Sequence, residues 1–164
     1  MINKKNIKTN TSQLLAYIEN NIGYIILNRP EARNALSDEL TPALRKTISI
    51  YEEDKTVRVI AITGKGPSFC AGGDIKSMSQ GGISGSNSFE KSISELKLKQ
   101  RALTGAIYNS KKPTVAILSG AAAGAGLSLA LSCDIRIASD NAFITTGYGK
   151  IALSGDYGIS WLLL

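Results

Sequence analysis

The sequence predicts one α/β domain with layered sheets, and three stretches carry that expectation. Residues 57–63, Val-Arg-Val-Ile-Ala-Ile-Thr, have the β-branched run of a largely buried strand. Residues 89–108 place Ile93, Leu96, Leu103 and Ile107 at helical spacing, as a long amphipathic helix does. Residues 113–134 combine the two patterns. A short apolar strand at 113–118 leads into a run with no side chain larger than methyl from Gly120 to Gly126, and Leu127, Leu129, Ala130 and Leu131 then begin a buried helix. Strands that alternate with helices bury their apolar faces by stacking helix on sheet. No fixed period recurs, which excludes a solenoid.

The elements follow in order. Residues 1–13 are polar, carry Lys4, Lys5 and Lys8, and are expected to form a disordered tail ahead of a core domain at 14–164. Residues 14–18 and 24–27 read as paired strands joined by Asn20-Asn21-Ile22-Gly23, a hairpin turn. Asn28-Arg29-Pro30 ends the second strand. Ser37 is the expected N-cap of a helix that tolerates Pro42 near its first turn and shares Leu40, Leu44 and Ile48 on one face. The strand at 57–63 stops at Gly64-Lys-Gly-Pro67, and Phe69-Cys-Ala-Gly-Gly-Asp-Ile-Lys76 forms a second small-residue bend entering a helix. Residues 79–88, rich in Gly and Ser, read as a flexible loop, and residues 135–138 as a further strand. The chain stops in Trp161-Leu-Leu-Leu164, an apolar run that reads as a helix cut in its first turns, and hence as a fragment.

Composition narrows the partners. The chain has 164 residues, enough to bury a core, with 43% hydrophobic and 20% charged residues, as in globular proteins. A net charge of +6 suits an acidic or phosphorylated ligand. No basic stripe interleaved with aromatics is present, so no nucleic-acid partner is expected. The absence of histidine excludes His-based triads and most zinc sites, and no metal site is expected. Cys70 and Cys133 sit in apolar contexts and read as reduced core residues. With no apolar leader and no run of spanning length, a cytoplasmic protein without a membrane partner is the default expectation.

The two small-residue bends carry the chemistry. The first N–H groups of a helix lack partners within it, and the aligned peptide dipoles add partial positive charge there. Gly and Ala let a ligand approach that backbone closely. The competing reading is that the small residues only let a buried helix pack tightly on a strand. The bend at 119–134 is not a phosphate-binding loop, because no Gly-Lys-Ser/Thr follows it.

Residues 27–36 (Leu-Asn-Arg-Pro-Glu-Ala-Arg-Asn-Ala-Leu), 69–76, 119–134 and 151–158 together resemble the crotonase family, the enoyl-CoA hydratase/isomerase superfamily, over nearly all of the chain from Leu15. The resemblance implies a crotonase-like layered ββα spiral whose C-terminal helical region is missing. It implies an enzyme acting on an acyl-CoA thioester, with coenzyme A as part of the substrate and no separate cofactor. It also implies a homo-oligomer, trimer or hexamer, in a full-length form. The family's oxyanion hole, two backbone N–H groups on the thioester oxygen, maps to Gly73 and Ala125. Its coenzyme A contacts map to Arg33, Ala35, Ala71, Asp74 and Ile75, with Arg33 and Lys76 suited to phosphate. Asp74 and Asp134 read as structural residues that cap or tie turns rather than as catalytic ones.

The family's two hydratase glutamates match Ser128 and Tyr148 here, and neither is a carboxylate base near neutral pH. Asp156, in Leu-Ser-Gly-Asp-Tyr-Gly, matches the acidic position of a crotonase branch that moves protons between carbons. The expected reaction is therefore double-bond isomerisation with Asp156 as acid/base, favoured over hydration. A dehalogenase-like nucleophilic Asp156 is disfavoured, because no halobenzoyl-clamping aromatics are recognisable. The alternative of a different class is a catalytically silent fragment that only binds coenzyme A or packs with partner subunits.

Overall fold

A computed structural model describes residues 4–75 and 89–164. Lys76 and the 79–88 segment lie outside the described residues. A six-stranded sheet runs in the order β1 (Lys5–Asn6), β2 (Leu14–Glu19), β3 (Ile22–Leu27), β4 (Val59–Gly64), β6 (Thr114–Leu118), β8 (Ile135–Ala138). β1, β2 and β3 pair antiparallel, and β3, β4, β6 and β8 are parallel. A second, parallel sheet joins β5 (Ser68–Cys70), β7 (Ala121–Ala123) and β9 (Ile144–Thr145). This is the layered α/β architecture expected, with β4, β6 and β8 of the large sheet each followed in sequence by a strand of the small one.

The β2–β3 hairpin turns on Asn20 and Asn21 alone, at φ 52° and 64°, so both strands extend further toward the turn than expected. Asparagine tolerates the left-handed region, and two such residues match the twist of the flanking strands. Helix α1 (Leu40–Glu53) begins where Ser37 Oγ accepts the Leu40 N–H at 3.0 Å, and it buries Leu40, Leu44 and Ile48. Tyr51 continues that face under the hairpin. Its hydroxyl donates to the Tyr17 and Tyr24 carbonyls, and its ring lies where a Cβ on Gly23 would stand, 2.7 Å away.

Several expectations are corrected. The supposedly disordered 1–13 tail contains β1, which pairs with Tyr17 and Ile18 of β2, and Thr9 Oγ1 donates to the Leu14 carbonyl. Polar side chains suit an edge strand because one row of its backbone groups stays in water. The helix at 89–108 is not one uniform amphipathic rod. It runs as α2 (Phe89–Gln100), a π-helical turn (Arg101–Gly105) and α3 (Ala106–Tyr108). Leu103 and Ile107 are buried, but Leu96 is 48% exposed, since the wider turn rotates the faces before and after it out of line. Cys70 and Cys133 are free and buried as expected, and burial pushes both thiols up to about 12. Asp134 ties strands: its Oδ2 accepts both the N–H and hydroxyl of Thr114 at 2.7 Å, joining the starts of β6 and β8.

Candidate active site

Two bends meet at the small sheet. The first leaves β5 through residues 71–75. Leu36 donates its N–H to the Gly72 carbonyl at 2.8 Å and accepts the Asp74 N–H at 3.3 Å. That isolated parallel bridge uses the groups either side of Gly73 and turns Gly73's own N–H away from residue 36. Among the described residues, no acceptor takes it. The second bend leaves β7 through Gly124, at φ 51°, into helix α4 (Ala125–Leu131). Ala125 is the first residue of that helix, so its N–H has no partner inside it.

The bends touch. A methyl on Gly72, which sits at φ +97°, would stand 2.8 Å from the Ala123 carbonyl oxygen and 3.4 Å from the Ala125 nitrogen. One on Gly126 would stand 2.3 Å from the Cys70 carbonyl oxygen. The tight-packing reading of the small residues holds here: only glycine backbone fits between β5 and α4 at this distance.

A single bound turn of sequence holds the first bend in place. Arg33 and Asn34 both adopt left-handed φ, at 51° and 56°. Asn34 is fully buried; its Oδ1 accepts the Arg29 N–H, and its Nδ2 donates to the Lys65 and Ser68 carbonyls. Cys70 Sγ donates to the Asn34 carbonyl, and the Ala71 N–H to that of Arg33. Arg29 reaches past this turn to the Ala35 carbonyl at 2.7 Å and to Asp74 Oδ2 at 3.0 Å. Neither Arg29 nor Asn34 was singled out from sequence, although an Asn in a tight turn with hydrogen-bonding reach is a readable signal.

Gly73 and Ala125 both line a cavity of about 460 Å³, together with Arg33, Ala71, Ile75 and Asp156. Of the remaining candidate positions, Ala35 is buried behind the bend and contributes its carbonyl to Arg29. Asp74 is paired with Arg29 and faces a neighbouring cavity of about 620 Å³, which Gly73 and Asp156 also line. Lys76 falls outside the described residues. Lys150, not considered from sequence, adds a cation to the first cavity.

Asp156 is half-buried, and Tyr148 donates its hydroxyl to Asp156 Oδ1 at 2.5 Å. Burial raises the carboxyl above its ordinary value, and the Tyr148 hydrogen bond opposes that rise. The Tyr148 phenol is itself pushed up, by burial first and by the neighbouring carboxylate second. Ser128 on α4 is fully buried and directs its hydroxyl at the Gly124 and Asp156 carbonyls, each at 3.4 Å. The turn that delivers Asp156 depends on left-handed Tyr157 and Gly158, with the Ile159 N–H closing on the Asp156 carbonyl at 3.0 Å. Among the described residues no cluster of three Cys, Asp or Glu side chains could hold a metal ion, and no helix is long and apolar enough to cross a membrane.

The layered sheets and the cavity lined by both small-residue bends define a class of α/β protein with its candidate site at the edge of the small parallel sheet. The sequence pattern of the enoyl-CoA hydratase/isomerase family matches residues 17–164, and the chain belongs to that family. It is similar to the probable enoyl-CoA hydratase EchA14 of Mycobacterium tuberculosis, at 34% identity over 92% of this chain and 56% of that protein. It is also similar to the 1,2-epoxyphenylacetyl-CoA isomerase of Escherichia coli, at 32% identity over the same shares of 92% and 56%. The solved structure of PA4980 from Pseudomonas aeruginosa superposes with a TM-score of 0.81 at 38% identity, covering 95% of this chain and 65% of that one. The chain therefore spans a little over half the length of these two curated relatives.

Proposed function

We propose that this chain forms the oxyanion-binding part of an enzyme that isomerises a double bond in an acyl-CoA thioester. The observation that carries the reading is the cavity on which Gly73, Ala125 and Asp156 all open. In it the Gly73 and Ala125 amides donate to the thioester oxygen. Asp156 removes a proton from the carbon beside the thioester, charge flows onto that oxygen as an enolate, and Asp156 returns the proton further along the acyl chain. Fixed amides of this kind are worth about 3 kcal/mol each toward the charged state, because they need no reorganisation as charge develops. Arg33 and Lys150 give the cavity two cations suited to coenzyme A phosphates, with Ala71 and Ile75 lying along the pantetheine arm.

Relatives on both sides of the hydration–isomerisation choice occur, among them the Delta(3,5)-Delta(2,4)-dienoyl-CoA isomerase of Arabidopsis thaliana. What favours isomerisation is the carboxylate inventory: with Ser128 and Tyr148 at the glutamate positions, Asp156 is the one carboxylate that opens on the cavity among the described residues. A proton shift needs one carboxylate, whereas adding water asks for a second group to activate it. The same carboxylate argues against the catalytically silent alternative. A homo-oligomer, trimer or hexamer, is the proposed assembly of a full-length form. The test is turnover of a β,γ-unsaturated acyl-CoA by the chain and by Asp156→Asn, which keeps the shape and removes the base. Loss of about a thousandfold in kcat is expected; unchanged turnover would reject Asp156 as the proton carrier.

A further inference from the structure

Tyr148 occupies a position from which a carboxylate is missing, and its surroundings fix it firmly. It opens the 3-10 turn Tyr148–Ile151, bracketed by left-handed Gly147 (φ 68°) and Ala152 (φ 54°), and its carbonyl accepts the Leu153 N–H at 3.1 Å. Its ring lies against the amide-bearing bend, with Cζ 3.7 Å from where a Cβ on Gly124 would stand. Its hydroxyl then meets Asp156 Oδ1 at 2.5 Å, the short distance of a hydroxyl donating to an ionised oxygen. Among the described residues no other side chain donates to that carboxylate, and Oδ2 has no side-chain partner among them.

We infer that Tyr148 is the positioning residue of the Asp156 base: the phenol clamps Oδ1, and Oδ2 is thereby the atom presented to the cavity for proton transfer. The inference rests on the isomerase reading for its consequence in turnover, but the clamp itself does not. Proton bookkeeping is simple. Oδ2 takes the proton from the carbon beside the thioester and gives it back at the new carbon, while Tyr148 keeps its own proton throughout. Clamping one oxygen removes the rotation of the carboxylate about its last bond, so the acting oxygen waits in one orientation instead of several. Donation also favours the ionised base against the burial that opposes it. The other charged or titratable groups nearby are Arg33 and Lys150, which line the first cavity, and Asp38, Asp74, Arg45, Lys99 and Tyr157, which line the second; burial raises the Tyr157 phenol, and the Asp156 carboxylate adds to that rise.

The test reads the carboxylate directly. The Asp156 13Cγ resonance is titrated in the parent chain, in Tyr148→Phe, and with 3-fluorotyrosine at 148, which keeps the ring and makes a stronger donor. Removing the donor destabilises the charged form, so the Phe variant titrates about one unit higher; fluorination moves the midpoint the other way. In turnover of the unsaturated thioester, the Phe variant loses roughly tenfold in kcat with KM within about twofold, and its acid limb moves up with the titration. Midpoints that do not move, or that move in the same direction for both changes, would overturn the clamp. If the parent chain titrates as described yet turns over no unsaturated thioester, the isomerase reading fails and the clamp stands.

Discussion

Replacing Gly72 by alanine tests whether the two bends set the oxyanion gap. The added methyl would stand 2.8 Å from the Ala123 carbonyl oxygen and 3.4 Å from the Ala125 nitrogen. A carbon and an oxygen need about 3.3 Å, so the bends must part by roughly half an ångström. The position also sits at φ +97°, where an L side chain is strained by about 1–3 kcal/mol. Together these effects lower stability by about 2–3 kcal/mol and Tm by roughly 5–10 °C for a chain of this size. Spreading the donors matters more for the reaction, since losing most of one amide costs on the order of a hundredfold in kcat. Calorimetry and turnover are measured alongside Gly66→Ala. Gly66 has φ +82° and a Pro30 side-chain contact but lies away from the cavity, so it reports strain without spreading. A Gly72→Ala enzyme that melts lower yet keeps turnover within about twofold of the parent would refute the gap argument.

Two further outcomes follow from the site's supports. Asn34→Ala removes the side chain that ties Arg29, Lys65 and Ser68 together and leaves those buried backbone groups unpaired; it lowers unfolding free energy by about 3 kcal/mol in denaturant melts, with the first bend loosened. Asp134 has its carboxyl held below its ordinary value of 3.8 by the Thr114 hydroxyl first and the Thr114 N–H second. A carboxyl whose folded-state value is depressed contributes stability above its unfolded value and loses it as pH falls through the folded one. Melts below about pH 4 therefore fall more steeply in the parent than in Asp134→Asn, and identical slopes would show that the tie between β6 and β8 does not depend on the charge.

Elements with a one-residue-scale signal were legible from the chain alone. The apolar run at 57–63 became Val59–Gly64, the Ser37 hydroxyl does accept the first N–H of α1, and the stretch of methyl-sized side chains at 120–126 does bend into a helix start, although its first part, expected as a turn, pairs as β7. What stayed hidden depends on pairing at a distance. A two-residue polar strand such as Lys5–Asn6 shows no alternation, and only β2 gives it a partner. The π-helical turn at Arg101–Gly105 breaks a face that spacing alone makes continuous. The Arg29–Asp74 ion pair spans 45 positions, and the Tyr148–Asp156 hydrogen bond joins a 3-10 turn to a left-handed turn that no local pattern places together. The bends of the candidate site could be found by composition; the residues that hold them could not.

The central claim is that two amides from separate bends act on one thioester oxygen. Isotope-edited vibrational spectroscopy of a bound acyl-CoA with a 13C-labelled thioester carbonyl reads that interaction directly. The carbonyl stretch moves below its frequency in water on binding, and moves part of the way back in Gly72→Ala. A bound carbonyl that vibrates at or above its aqueous frequency would contradict the account.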